Sequence, residues 1–73
     1  MKYMVVIEKG PTSYGAYVPD LPGCVAAAET LEEVERLIRE AMVIHIRGLR
    51  EDGEQIPEPT ALVMKEVDVE LPA

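Results

Sequence analysis

Hydrophobic positions change period twice along this chain. Every residue from Tyr3 to Ile7 is apolar, between Lys2 and Glu8. Side chains of a strand point alternately to its two faces, so Tyr3, Val5 and Ile7 share one face and Met4 and Val6 the other. A strand that is apolar on both faces is expected inside a sheet covered on both sides. Lys9, Gly10, Pro11, Thr12 and Ser13 form a turn cluster of hairpin length. Residues 14–18 read as a second strand, with Tyr14, Ala16 and Val18 opposite Gly15 and Tyr17. Pro19 ends that strand because proline donates nothing to a ladder. Leu21-Pro22-Gly23 is a second turn, and residues 24–28 are a short third strand of small side chains. Three strands joined by short turns make an antiparallel meander.

At Thr30 the period becomes helical. Thr30 and Glu33 have the S/T-x-x-E spacing of a capping box, in which the hydroxyl accepts from a free backbone N–H. Val34, Leu37, Ile38, Ala41, Met42, His45 and Leu49 follow as one apolar stripe, and Asp52-Gly53 stops the helix. Glu32/Arg36, Glu35/Arg39 and Arg47/Glu51 have the four-residue spacing of helix ion pairs. Three apolar residues fall outside the stripe. Val43 lies opposite its centre, Ile46 lies beyond one flank and Ile44 widens the other. A helix apolar nearly all round must be covered by more than its own sheet. Val43, Ile44 and Ile46 are therefore candidate contacts with a second copy, as a dimer or tetramer.

Ile56-Pro57-Glu58-Pro59 is an extended connector. In residues 62–71, Val67, Val69 and Leu71 alternate with Glu66, Asp68 and Glu70, the pattern of a fourth strand with one buried and one acidic face. Met64 and Lys65 blur its start. The order β-β-β-α-β predicts one α+β domain over residues 1–73, a small sheet with one long helix packed on one face.

Charge narrows the partners. Fourteen acidic residues against seven basic ones give a net charge of −7. Phosphate backbones are bound by clustered Lys and Arg, so no direct nucleic-acid contact is expected. An acidic surface suits a small basic protein, and Glu66, Asp68 and Glu70 are the candidate partner-binding residues. One cysteine forms no internal disulfide and suits a reducing, cytoplasmic setting. No stretch approaches the ~20 apolar residues of a membrane span.

Chemistry is sparse. His45 sits in the apolar stripe with no carboxylate three or four residues away on it, which favours a packed side chain over a base or ligand. Cys24 opens a short strand and reads as a small apolar residue. Glu8, Asp20, Glu29, Asp68 and Glu70 are the acids that could meet around Mg²⁺ in a nuclease, but with acids at one residue in five a solvated surface is the simpler reading. No glycine-rich phosphate loop is present. No catalytic residue, cofactor or metal site is expected.

The succession Pro19-Asp20-Leu21-Pro22-Gly23-Cys24, then Thr30 with Glu33, then Gly53 with Ile56, Pro57 and Pro59, resembles the HicB-like antitoxin family in its short, single-domain form. The resemblance covers nearly the whole chain. It departs from the family pattern at Ala28-Glu29, where glycine often precedes the capping threonine, and at Val34, where alanine is common. It implies a partial ribonuclease-H-like fold without working catalytic acids. It also implies a non-enzymatic antitoxin that covers a small basic RNA-cleaving toxin of HicA type. Many members carry a further DNA-binding domain, which the short form is expected to lack. The alternatives are a degenerate metal-dependent nuclease on the same fold and a solitary homo-oligomeric scaffold without a toxin partner.

Overall fold

A computed structural model describes residues 1–60, 63 and 65–72. Three strands, β1 (Val6–Lys9), β2 (Tyr14–Tyr17) and β3 (Val25–Ala28), precede one helix, α1 (Leu31–Glu51). The sheet order is β1-β2-β3, both pairings antiparallel. Ile7 lies opposite Ala16, and Ala16 opposite Ala26, so one cross-strand row faces the helix. The core is Ala16, Val18, Leu21, Cys24, Val34 and Ile38. Small side chains at Ala16, Cys24, Ala26 and Ala28 let the helix backbone come close, and Val34 fills the contact completely. The expected α+β architecture and meander are present.

Both ends of α1 follow the capping chemistry of the sequence. Thr30 has extended backbone angles (φ −124°, ψ 156°), and its Oγ1 accepts from the Glu33 N–H at 3.1 Å. At the other end, Gly53 takes φ 71°, the Gly53 N–H donates to the Arg50 carbonyl and the Glu54 N–H to the Leu49 carbonyl. This is a Schellman motif, which satisfies the last helical carbonyls and needs a left-handed residue that glycine supplies without strain. Among the described residues the ion pair on the helix is Arg36–Glu40 at 3.1 Å, with both side chains largely exposed. It takes the place of the expected Glu32/Arg36 pairing and contributes a few tenths of a kcal/mol at most.

The turn between β2 and β3 is a structural plug. Val18 N–H donates to the Cys24 carbonyl, Leu21 N–H to Val18 and Cys24 N–H to Leu21, with Gly23 at φ 85°. These bonds fold the turn inward and drive Leu21 to full burial.

Three expectations are corrected. β1 is an edge strand and its apolar residues are half-buried, because the backbone of α1 lies over β3 and β2 and not over β1. The predicted fourth strand is not formed among the described residues: Val63 and residues 65–72 pair with nothing, and Val67, Val69 and Leu71 are 75%, 74% and 87% exposed. Leu62 and Met64 of that segment lie outside the described residues. The observed order is thus β-β-β-α followed by an arm. A strand needs a free edge alongside it, and the chain reaches this segment from elsewhere: Tyr3 Oη donates to the Pro57 carbonyl at 2.5 Å and Thr60 N–H donates to Asp20 Oδ2 at 2.9 Å. The radius of gyration is 14.8 Å, against roughly 11 Å for a compact chain of this length. Finally, Ile46 is not on the outer side of the helix. It continues the four-residue row Val34, Ile38, Met42 and packs against the core.

Two substitutions test this account by urea unfolding. Leu21→Ala is expected to cost about 2–5 kcal/mol, as for other fully buried leucines. Thr30→Ala is expected to cost about 1 kcal/mol through the lost cap. Both should lower the midpoint without changing the slope. A Leu21→Ala midpoint equal to that of the parent would contradict the plug.

Candidate partner-binding surfaces

One helix on a three-stranded sheet leaves three apolar surfaces open. The first is the sheet face away from α1. There the register places Val6, Tyr17 and Val25 side by side across all three strands, and Val25 is 64% exposed. Sequence reading assigned Tyr17 to this face but not the cross-strand row, because register is not visible in one strand at a time. The second surface is the outer side of α1, where exposed Val43 and Ile44 sit with Arg39 and Glu40 around a shallow depression of about 390 Å³. Two of the three expected oligomer contacts lie here. Ile46 lies at its margin, shared with the core and with a second depression that Val43, Arg47 and Arg50 complete.

The third surface is a groove of about 550 Å³ along the β1 edge, where the helix falls short of the sheet. Tyr3, Val5 and Ile7 form its floor and Ile38 and Met42 its wall, with Met1, Lys2, Glu35 and Arg39 at the rim. No sequence signal gave this groove directly. The apolar character of both faces of residues 3–7 was the trace of it.

The acidic residues Glu66, Asp68 and Glu70 are all exposed on the arm. Asp20 is bound at the turn, where its carboxylate accepts from both the backbone N–H and the hydroxyl of Thr60. It therefore fixes the connector to the β2–β3 turn. Among the described residues no three His, Cys, Asp or Glu side chains come together as a metal-holding group, so Glu8, Asp20, Glu29, Asp68 and Glu70 are not assembled. His45 is half-buried on α1. Cys24 is buried in the core, and burial pushes its thiol above the ordinary value by penalising the thiolate. A protonated, enclosed thiol is a poor nucleophile. Among the described residues, every buried side-chain nitrogen and oxygen has a partner. Among the described residues no helix is long and apolar enough to cross a membrane.

These features define a small α+β domain whose open surfaces are apolar contact faces beside an acidic arm. The family described as HicB_like antitoxin of bacterial toxin-antitoxin system matches residues 3–71. The chain belongs to this HicB-like antitoxin family. An uncharacterised 14.9 kDa protein of Haemophilus phage HP1 is 44% identical over 57 residues, 78% of this chain and 43% of the phage protein. A UPF0150 protein of Archaeoglobus fulgidus is 39% identical over 59 residues, covering 77% of this chain and 86% of that protein. Antitoxin HicB 2 of Photorhabdus laumondii is 32% identical over 73 residues, all of this chain and 51% of its own length. This chain thus spans about half the length of the phage and Photorhabdus relatives and most of the archaeal one. A chain in the solved HicA3 and HicB3 toxin-antitoxin complex superposes with a TM-score of 0.64 at 30% identity, over 77% of this chain and 69% of that one.

The enclosed thiol gives a direct check. Native Cys24 should react with a thiol reagent at least about a hundredfold more slowly than in urea, since reaction requires local opening. Equal rates in the two states would show that the β2–β3 turn is open.

Proposed function

We propose that the chain is the antitoxin of a toxin–antitoxin pair, a non-catalytic cytoplasmic protein that binds a small basic RNA-cleaving toxin of HicA type and covers its surface. The observation that carries the reading is the family match over residues 3–71 together with the likeness to a chain from a HicA3–HicB3 complex. The net charge of −7 supports it, because an acidic surface steers a cationic partner and repels like-charged competitors. Glu66, Asp68 and Glu70 are the residues proposed to face that partner. They stand in a row on an exposed arm, where pairing with cations does not require a buried charge. Self-association through Val43 and Ile44, with Ile46 at the margin, belongs to the same reading. It would bring two acidic arms into one particle.

Co-expression tests the function. A HicA-type toxin encoded beside this chain should arrest growth alone, and co-expressed chain should restore growth and co-elute with the toxin in gel filtration. Persistent arrest at equal expression, with no complex at low salt, would overturn the reading. The triple variant Glu66→Lys, Asp68→Lys, Glu70→Lys changes only exposed side chains and should weaken the complex at least tenfold, about 1.4 kcal/mol. Val43→Asp with Ile44→Asp should lower the sedimenting mass at micromolar concentration. An unchanged mass would exclude the helix face as the contact.

A further inference from the structure

The outer face of α1 carries every arginine of a chain that is acidic as a whole. A helix turns about 100° per residue. Val43 comes nine residues after the fully buried Val34, half a turn round the helix from it, and so points directly away from the sheet. It is 51% exposed, and Ile44 beside it is 67% exposed. The same rotation places Arg36, Glu40, Arg47 and Glu51 on one flank of Val43, and Glu35, Arg39 and Arg50 on the other. All of these charged side chains are exposed. Within the single chain most of the charges are unused. The pairs Glu35/Arg39 and Arg47/Glu51 have the spacing for an ion pair and do not form one; among the described residues the ion pair is Arg36–Glu40.

We infer that two copies of the chain pack α1 against α1 in antiparallel orientation, with Val43 on the two-fold axis and Ile44 beside it. The inference rests on the self-association proposed above and fixes its direction and register. Charge selects both. In a parallel pair each residue stands level with itself, so Arg36, Arg47 and Arg50 would each meet the same cation, and Glu35, Glu40 and Glu51 the same anion. In an antiparallel pair centred on Val43, a residue before Val43 stands level with the residue equally far after it in the partner, and like flanks meet. Glu40 then meets the partner's Arg47, and Arg36 meets the partner's Glu51, on one flank. Glu35 meets the partner's Arg50 on the other. Each pair is level to within one position, about 1.5 Å along the axis, and the two-fold axis repeats it. Arg39 stands level with the partner's Arg47, but on the opposite flank. Exposed ion pairs add little affinity. Burial of Val43 and Ile44 from both copies supplies the attraction, and the charges set direction and register, as flanking charges do between coiled-coil helices. Because Val43 points away from the sheet, the two meanders lie outermost, and the Val6, Tyr17 and Val25 row stays open in the dimer.

Charge exchange tests the register on the isolated chain by sedimentation across the micromolar range. Glu40→Lys and Arg47→Glu should each weaken self-association at least about tenfold, because the axis repeats every altered pair. An equimolar mixture of the two variants pairs Lys with Glu and Arg with Glu, and should return to within about threefold of the parent. One chain carrying both substitutions should associate like the parent. If neither single variant weakens association while Val43→Asp with Ile44→Asp does, the register is overturned and the face stands. If both weaken it and the mixture does not recover, the charges do not meet between copies, and the inference is overturned as well. A parent that sediments only as the 8.1 kDa chain would overturn this inference together with the self-association beneath it. Growth rescue by co-expression would be unaffected by that result and remains the separate test of toxin binding.

Discussion

One helix is too narrow for three strands. An α-helix with its side chains is about 10–12 Å across, and strands lie about 4.8 Å apart, so a single helix covers two strands well and a third poorly. The chain resolves this by placing small residues on β2 and β3, where Ala16, Ala26 and Ala28 let α1 settle close, and the larger Ile7, Val5 and Tyr3 on the uncovered side. The tight core around Val34, the edge position of β1 and the groove along it are consequences of that one arrangement.

Much of the fold was legible because its signals are local. The Thr30 cap, the Gly53 stop and the Pro19-to-Cys24 turn each rest on a backbone angle or a short-range hydrogen bond that residue type specifies directly. Other features depend on what stands beside an element. The pattern of residues 3–7 suggested an inner strand, but β1 stands at the edge of the sheet, because which strands lie beside one another is not written in any one of them. The alternation of Val67, Val69 and Leu71 has strand character, yet all three side chains are exposed. Ile46 was misplaced because a stripe centred on His45 hides the parallel row from Val34 to Ile46 that meets the sheet.

The candidate site divides along the same line. The acidic row and the outer apolar residues Val43 and Ile44 could be named from sequence because exposure of charge and departure from a stripe are properties of one element. The Val6, Tyr17 and Val25 row and the groove arise from register and from the reach of the helix, which are properties of elements together. Among the described residues the five carboxylates do not come together, and the thiol is enclosed.

The ties from Tyr3 to Pro57 and from Thr60 to Asp20 also order events in time. Every residue of the core has been synthesised once Ile38 is made, and its contacts join neighbours in the meander and the first half of the helix. The first tie spans 54 positions in sequence and the second 40, so both close over far longer loops than the contacts of the core. Contacts between distant parts of a chain form late because their loop entropy must be met before they stabilise anything. In folding, the sheet and helix therefore form before the connector is tied down and the acidic arm is fixed in direction. The capacity to fold precedes the capacity to engage.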